Sequence, residues 1–350
     1  MRFSVWLPTG VLQDFAGYPD PVEAFAALTG LARVAEDSGY DTVWTADHFM
    51  PYPVAPEFVF ESWLSLAAVA RGTRRVRIGQ LVTGNGYRNP ALQAKMASTL
   101  DVLSAGRFRF GIGAGNYEEE YHAYGYEFPD AAQRIHELRE AVAIIVSMWT
   151  KPETTFHGTH YQVRRALNDP KGVQQPHLPL LIGGGGEQGT LKLVAEYADA
   201  CNIVAAPSAL VGKYRILRDH CDHLGRDYHA ITRTAMSYCL IADTDEHARA
   251  AVPAWARAVF PGDLASYGLI GTPDTIRDRI TGYADAGVQE LILRMHNPFT
   301  TPIVHRFARD IAATPTPAPA TPPAAATELD VRVRVPQPDP RTAHAEPIHT

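Results

Sequence analysis

The chain has 350 residues, enough for two ordinary domains or for one large α/β barrel, a fold that commonly runs to about 250 residues or more as a single core. A hydrophobic share of 46% and a charged share of 20% describe a protein that buries a sizeable core, and a net charge of -6 argues against a polyanion-binding surface, so no nucleic-acid partner is expected. Cys201, Cys221 and Cys239 are widely spaced in apolar segments, which excludes a disulfide framework and reads as reduced core thiols.

Short β-branched or aromatic runs alternate with longer amphipathic ones along the chain, the pattern of parallel βαβ units. The first strand, Phe3 to Leu7, begins without the apolar region and cleavage site of a signal peptide. No stretch is long enough to span a bilayer, so a cytoplasmic enzyme with no membrane partner is expected. Asp20 as N-cap and Pro21 after it predict a helix to Ser38, stopped by Gly39, and Thr42 to Thr45 follows as strand two. A helix over 61–70, a strand over 76–82 and a helix over 89–103, capped by Asn89 with Pro90 behind it, come next. Strand four is expected at 108–112, a long amphipathic helix at 131–149, and strand five at 178–182, cut off by Gly183. Helix 188–198, strand 200–204, helix 209–224 and strand 232–241 continue the rhythm; helices over 245–258 and 274–286 lead to a last strand at 290–294. Eight strands in this alternation predict a closed (β/α)8 TIM barrel over an open doubly wound sheet.

Two segments break the pattern. Residues 151–177, with a hairpin-like stretch at 156–163, are too long for a simple loop and are expected to form an insertion over the mouth of the barrel, where such segments act as lids. From Thr314 the chain is rich in proline and alanine and poor in bulky apolar residues. The barrel domain is therefore expected at 1–313 and a disordered tail at 314–350, with one strand-capable patch at 329–335.

Residues just past the strands of a barrel converge on one mouth. After strand two stand Asp47 and His48: His48 can exchange a proton near neutral pH and Asp47 can fix a cofactor group, although a structural His–Asp pair shaping the loop explains the same string. After strand three, Gln80, Leu81, Val82 and Thr83 lead into Gly84-Asn85-Gly86, where glycines admit a flat ligand or simply turn the chain into a helix. Strand four ends in Gly111-Ile112-Gly113-Ala114-Gly115-Asn116, whose GxGxG string lacks the acidic residue of a dinucleotide fold. Gly183, Gly184, Gly185 and Gly186 precede a helix start with Thr190. Bare N–H groups and a hydroxyl there make a phosphate cradle, the alternative being a glycine-rich turn with no ligand; without a Gly-Lys-Ser/Thr ending, nucleotide hydrolysis is not expected. His157, His160 and His177 share no ligand spacing with carboxylates, so no metal is expected. Ser98 and Ser104 lack the elbow of an α/β-hydrolase.

Together, Asp47-His48-Phe49, Gln80 to Thr83 followed by Tyr87-Arg88-Asn89-Pro90, Ser104 to Arg107 leading to Gly111 to Gly115, and Pro179 to Gly186 give a chain that resembles the bacterial luciferase-like monooxygenase superfamily, and within it the branch that uses coenzyme F420. The resemblance covers about 1–312 and implies a barrel that binds F420, or alternatively reduced FMN, at its mouth. It implies His48 as acid/base beside the ring and Asp47 as a cofactor-loop contact. Gln80, Leu81, Val82 and Thr83 become the backing of the ring, with a non-prolyl cis peptide, and Gly113 to Asn116 a further cofactor surface. Gly183 to Gly186 with Thr190 become the phosphate site. Sugar-phosphate dehydrogenases of this superfamily carry a glutamate where this chain has Asn116, so their substrate is not transferred.

The expected function is F420-dependent hydride transfer to or from a small organic substrate. Two alternatives stand: an FMNH2-dependent monooxygenase incorporating molecular oxygen, and a non-catalytic flavin-binding barrel. The expected partners are the small-molecule substrate, a second copy in a homodimer, and a separate flavin or F420 reductase. The loop 52–60 and the 151–177 insertion would choose the substrate, and Trp6, Tyr52 and Phe58 hint at an apolar or ring-shaped one.

Overall fold

Every expected strand forms, and the eight pair in parallel into a ring: β1 (Arg2–Trp6), β2 (Thr42–Thr45), β3 (Arg77–Gln80), β4 (Phe108–Gly113), β5 (Leu180–Gly183), β6 (Ala200–Ile203), β7 (Thr232–Ile241) and β8 (Glu290–Met295). Ser4 opposite Ile292 closes β8 onto β1, so the sheet has no open edge and the chain is a (β/α)8 barrel. A computed structural model describes residues 1–299 and 302–312. The expected tail and its patch at 329–335 lie outside the described residues.

The helices begin where their capping residues placed them. Asp20 accepts from the Val22 N–H at the head of α1 (Pro21–Asp37), whose inner face buries Ala24, Leu28, Leu31, Ala32 and Ala35. Glu61 caps α2 (Ser62–Gly72), and Asn89 caps α3 (Pro90–Leu103). Past β4 a short helix, α4 (Glu118–Ala123), precedes α5 (Ala131–Thr150), which Asp130 caps. Beyond β5 and β6 come α6 (Thr190–Tyr197) and α7 (Pro207–Leu224).

Three expectations are corrected. The strand over 76–82 stops at Gln80; its Leu81–Val82 peptide is cis, and pairing resumes only at Thr83–Gly84, beside Ile112 and Gly113 of β4. The helix over 245–258 is two helices, Asp245–Ala250 and Ala254–Val259, because Pro253 has no N–H to continue the first. A three-residue strand, Leu269–Gly271, then pairs with β7 and was not foreseen, being too short to show a period. The insertion 151–177 does form a hairpin, Thr154–His157 against Gln162–Ala166, but it does not cover the mouth. Glu140 of α5 accepts from the Thr159, His160 and Tyr161 N–H groups at 2.7, 2.9 and 3.0 Å, and Asp101 of α3 accepts from the Val173 N–H at 2.7 Å. The segment is thus tied along the outer helical layer, and Tyr161 reaches a loop of the rim, accepting from Asn85 Nδ2 at 3.1 Å. Loops 8–20, 46–61 and 114–130, which follow β1, β2 and β4, are the segments that extend the mouth.

Among the described residues no helix is long and apolar enough to cross a membrane, and no cluster of three or more His, Cys, Asp or Glu side chains is arranged to hold a metal. The three cysteines are free and buried, and burial pushes the Cys201 thiol up to about 12.

At the starts of the strands a buried ion pair crosses the barrel. Glu290 of β8 accepts from Arg109 Nη1 of β4 at 2.7 Å, from Ser4 Oγ at 2.7 Å and from Trp44 Nε1 at 3.3 Å. Burial alone would raise the Glu290 carboxyl; the Arg109 charge and hydrogen bonds outweigh it and hold it below the usual carboxylate range. Arg109→Met strands that carboxylate, and urea denaturation at neutral pH is expected to show a loss of about 3 kcal/mol, most of it recovered in Arg109→Met/Glu290→Leu. A neutral outcome for the single variant would show that the pair does not hold the barrel.

Candidate active site

Parallel strands put all their C-terminal ends on one rim, and the segments 47–48, 80–83, 113–116 and 183–186 follow β2, β3, β4 and β5, four adjacent staves. The sequence-predicted residues are therefore brought together. Their roles divide once their surroundings are read.

The floor of this quadrant is the bulge after β3. A Cβ at Gly111 would lie 2.0 Å from the Gln80 carbonyl oxygen, and Cβ atoms at Gly113 and Gly183 would lie 2.7 and 2.8 Å from the Val82 methyl groups. These glycines exist to admit the bulge. Leu81 and Val82 are half-buried on it, whereas the Gln80 side chain is fully buried and is not presented at the rim. Ala114 and Gly115 are half-buried, Asn116 is exposed, and Gly115 (φ +83°) turns so closely over Tyr121 that a Cβ would meet its hydroxyl at 2.2 Å.

Asp47 and His48, adjacent in sequence, face different tasks. The Asp47 carboxylate accepts from Thr83 Oγ1 at 2.5 Å, from the Gly84 N–H at 3.3 Å, and from both terminal nitrogens of Arg88 at 2.6 and 3.1 Å. Arg88 also donates to Glu61 Oε1 at 2.8 Å. Asp47 thus spends its side chain, and that of Thr83, on clamping the loop behind the bulge. Burial would lower the Arg88 pKa, but the Asp47 and Glu61 charges prevail and raise it, so the clamp stays ionised.

His48 Nδ1 lies 2.9 Å from Oε2 of Glu120, a carboxylate with no exposed surface. Glu120 also accepts from the Phe49 and Met50 N–H groups at 2.6 and 3.1 Å and from the Tyr87 hydroxyl. Burial alone would raise Glu120; the hydrogen bonds and charge of His48, with those from Tyr87 and Phe49, hold it below the usual carboxylate range. Burial and Glu120 in turn push the Tyr87 phenol far up, so it remains a donor. An ionised carboxylate only accepts, so Nδ1 carries the hydrogen, and Nε2, on a ring 25% exposed, takes no part in that bond. Sequence reasoning missed Glu120 because it ends a Glu118-Glu119-Glu120 run that reads as a solvated face; its full burial in α4 is the distinguishing fact.

At the fourth stave, Gly184 (φ +125°) donates its N–H to the Asn202 carbonyl at 2.9 Å, and Gly185 and Gly186 lead to Gly189, the cap of α6. Thr190 opens that helix as a residue 7% exposed, and its hydroxyl makes no hydrogen bond to the described residues. On the far side of the mouth Trp6 is a buried wall under the Arg294 guanidinium, 5.3 Å from its ring centroid, with Arg294 paired to Asp14; Tyr52 is exposed and Phe58 half-buried.

Comparison with known proteins follows this geometry. The family model for luciferase-like monooxygenases matches residues 1–265. The F420-dependent glucose-6-phosphate dehydrogenase of Amycolatopsis mediterranei (strain U-32) is 34% identical over 187 residues, 52% of this chain and 54% of that one. The enzyme of the same name from Kineococcus radiotolerans is 36% identical over 173 residues, 49% of this chain and 50% of that one. The chain spans about half the length of these curated relatives. Among solved structures, an F420-dependent secondary alcohol dehydrogenase in complex with an F420-acetone adduct superposes with a TM-score of 0.75 at 21% identity, covering 90% of this chain and 99% of that one. The monooxygenase RslO1 from Streptomyces bottropensis gives 0.72 at 20%, covering 89% and 99%. At such identities the likeness speaks for the fold alone.

The Glu120 cluster makes a prediction about stability. Its folded pKa is depressed, so its contribution is present above the unfolded carboxylate pKa and is lost as pH falls through the folded value. Glu120→Gln is expected to cost about 2 kcal/mol at neutral pH, with the gap to wild type closing on acidification through that value. Denaturation curves at stepped pH measure it; a gap that widens on acidification would contradict the assignment.

Proposed function

The chain belongs to the luciferase-like monooxygenase family, and from that premise we propose that it transfers hydride between coenzyme F420 and a small organic substrate at the rim of β2 to β5. The observation that carries the reading is His48, its Nδ1 held by the buried Glu120 carboxylate, on the loop whose Asp47 binds Thr83 and Gly84 just past the Leu81–Val82 bulge. A barrel that only stores a ligand has no need of an imidazole held in one tautomer by a buried carboxylate, with its second nitrogen outside that bond. That favours an enzyme over a binder.

The residues fit the cofactor. Leu81 and Val82 offer an apolar bed for a flat ring, and the 183–186 turn with the partnerless Thr190 hydroxyl offers a cradle for a phosphate. Bound there, F420 supplies the hydride chemistry. The chain's own part is to seat the ring against Val82, hold the loop behind it through Asp47 and Arg88, and exchange a proton at His48 Nε2. The names of the F420-dependent relatives support this reading. Their sugar phosphate is not carried over, since an exposed Asn116 stands where the resemblance calls for a glutamate. The likeness to RslO1 keeps an FMN-dependent monooxygenase as the second reading, because FMN also presents a flat ring and a phosphate. With this reading we propose a cytoplasmic setting, a homodimer and a separate flavin or F420 reductase.

Titration of the purified chain with F420 and with FMN separates the two. The expected result is F420 binding, with His48→Ala lowering turnover about 10²-fold or more while binding changes little. Preferential FMN binding with substrate-dependent oxygen consumption would replace the first reading by the second.

A further inference from the structure

The tetraglycine turn has a charged neighbour that the sequence did not single out. A Cβ at Gly185 would come within 3.9 Å of Lys213 Cε, which brings this α7 side chain against the very glycine that leaves room for a ligand. The Lys213 ammonium now donates to Glu187 Oε1 at 2.8 Å, and Glu187 is the residue directly after the glycines. Two turns further along the same face of α7, His220 Nε2 lies 2.9 Å from the Glu187 carbonyl. A carbonyl only accepts, so the ring donates and pins the turn to α7 by its backbone, leaving the Glu187 side chain free to swing. The second observation is Thr190, a residue 7% exposed whose hydroxyl makes no hydrogen bond to the described residues and stands only 3.1 Å from where a Cβ of Gly186 would be and 3.5 Å from where one of Gly184 would be.

We infer that Lys213 is the charge partner of the cofactor phosphate at this turn and that Glu187 is its stand-in, competing with the phosphate for the same ammonium. The inference rests on the cofactor reading above and adds to it the residue that sets affinity. The exchange is cheap, because both members of the pair are partly exposed, 28% and 47%, and ion pairs in such positions contribute little to stability. The phosphate, by contrast, brings several oxygens to a site that already offers a hydroxyl and a helix N-terminus, so the ammonium gains more there than it loses.

The two members of the pair should therefore move affinity in opposite directions, which a merely structural salt bridge would not do. Fluorescence titration of the full chain with F420, repeated with inorganic phosphate as competitor, reads this out without turnover. Lys213→Met is expected to weaken binding about tenfold and to blunt the competition by phosphate, whereas Glu187→Gln is expected to tighten binding about threefold. Unchanged binding by Lys213→Met, or a shift of both variants in the same direction, overturns the inference. If the wild type prefers FMN, the same series is read with FMN, whose phosphate offers the same oxygens; the F420 reading then falls while Lys213 stands or falls on its own ratio. A wild type that binds neither overturns both.

Discussion

The rim is organised by a bulge that needs empty space on two neighbouring strands. Val82 occupies volume that any side chain at Gly113 or Gly183 would claim, and the Gln80 carbonyl occupies what a side chain at Gly111 would claim. Three glycines on β4 and β5 are therefore consequences of one feature of β3. The small-residue surface that resembles a nucleotide loop in sequence is largely the imprint of a neighbouring backbone. What remains of the tetraglycine run, Gly184 to Gly186, lies beyond Val82 and is the part free to meet a ligand.

Holding a bulge in place is a separate matter from making room for it, and two buried carboxylates do so. Asp47 and Glu120 each leave water, a loss of several kcal/mol for an isolated charge, and each recovers it by accepting four hydrogen bonds. Asp47 binds the loop after β2 to the loop after the bulge through Arg88, and Glu120 binds the same β2 loop to α4 and to Tyr87. His48 is thus fixed from both sides while its own Nε2 stays uncommitted. The clamp that fixes the bulge also fixes the imidazole of the neighbouring loop.

How far this was legible in the sequence depends on the range of the interaction. Asp20, Asn89 and Asp130 cap helices a few residues away, so their effect is written locally. Eight strands alternating with helices are likewise a local pattern repeated, and it gave the barrel. Glu120 acts 72 residues from His48, and nothing within the Glu118-Glu119-Glu120 run tells which of the three is buried. The hairpin in 151–177 was visible, but where it docks is decided by Glu140 and Asp101, single residues on two other helices. Lys213 was invisible for the same reason: its neighbour Gly185 belongs to a different βα unit.

The two ends of the barrel show what turns a buried ion pair into chemistry. At the strand starts Glu290 meets Arg109, a buried guanidinium that offers only donors, and the pair holds strands together. At the strand ends Glu120 meets an imidazole, whose second nitrogen takes no part in the bond to the carboxylate. Both carboxylates are fully buried and both are held ionised by their partners, so the difference lies in the partner alone. The barrel places its guanidinium pair where the strands begin and its imidazole pair at the rim, where loops can change.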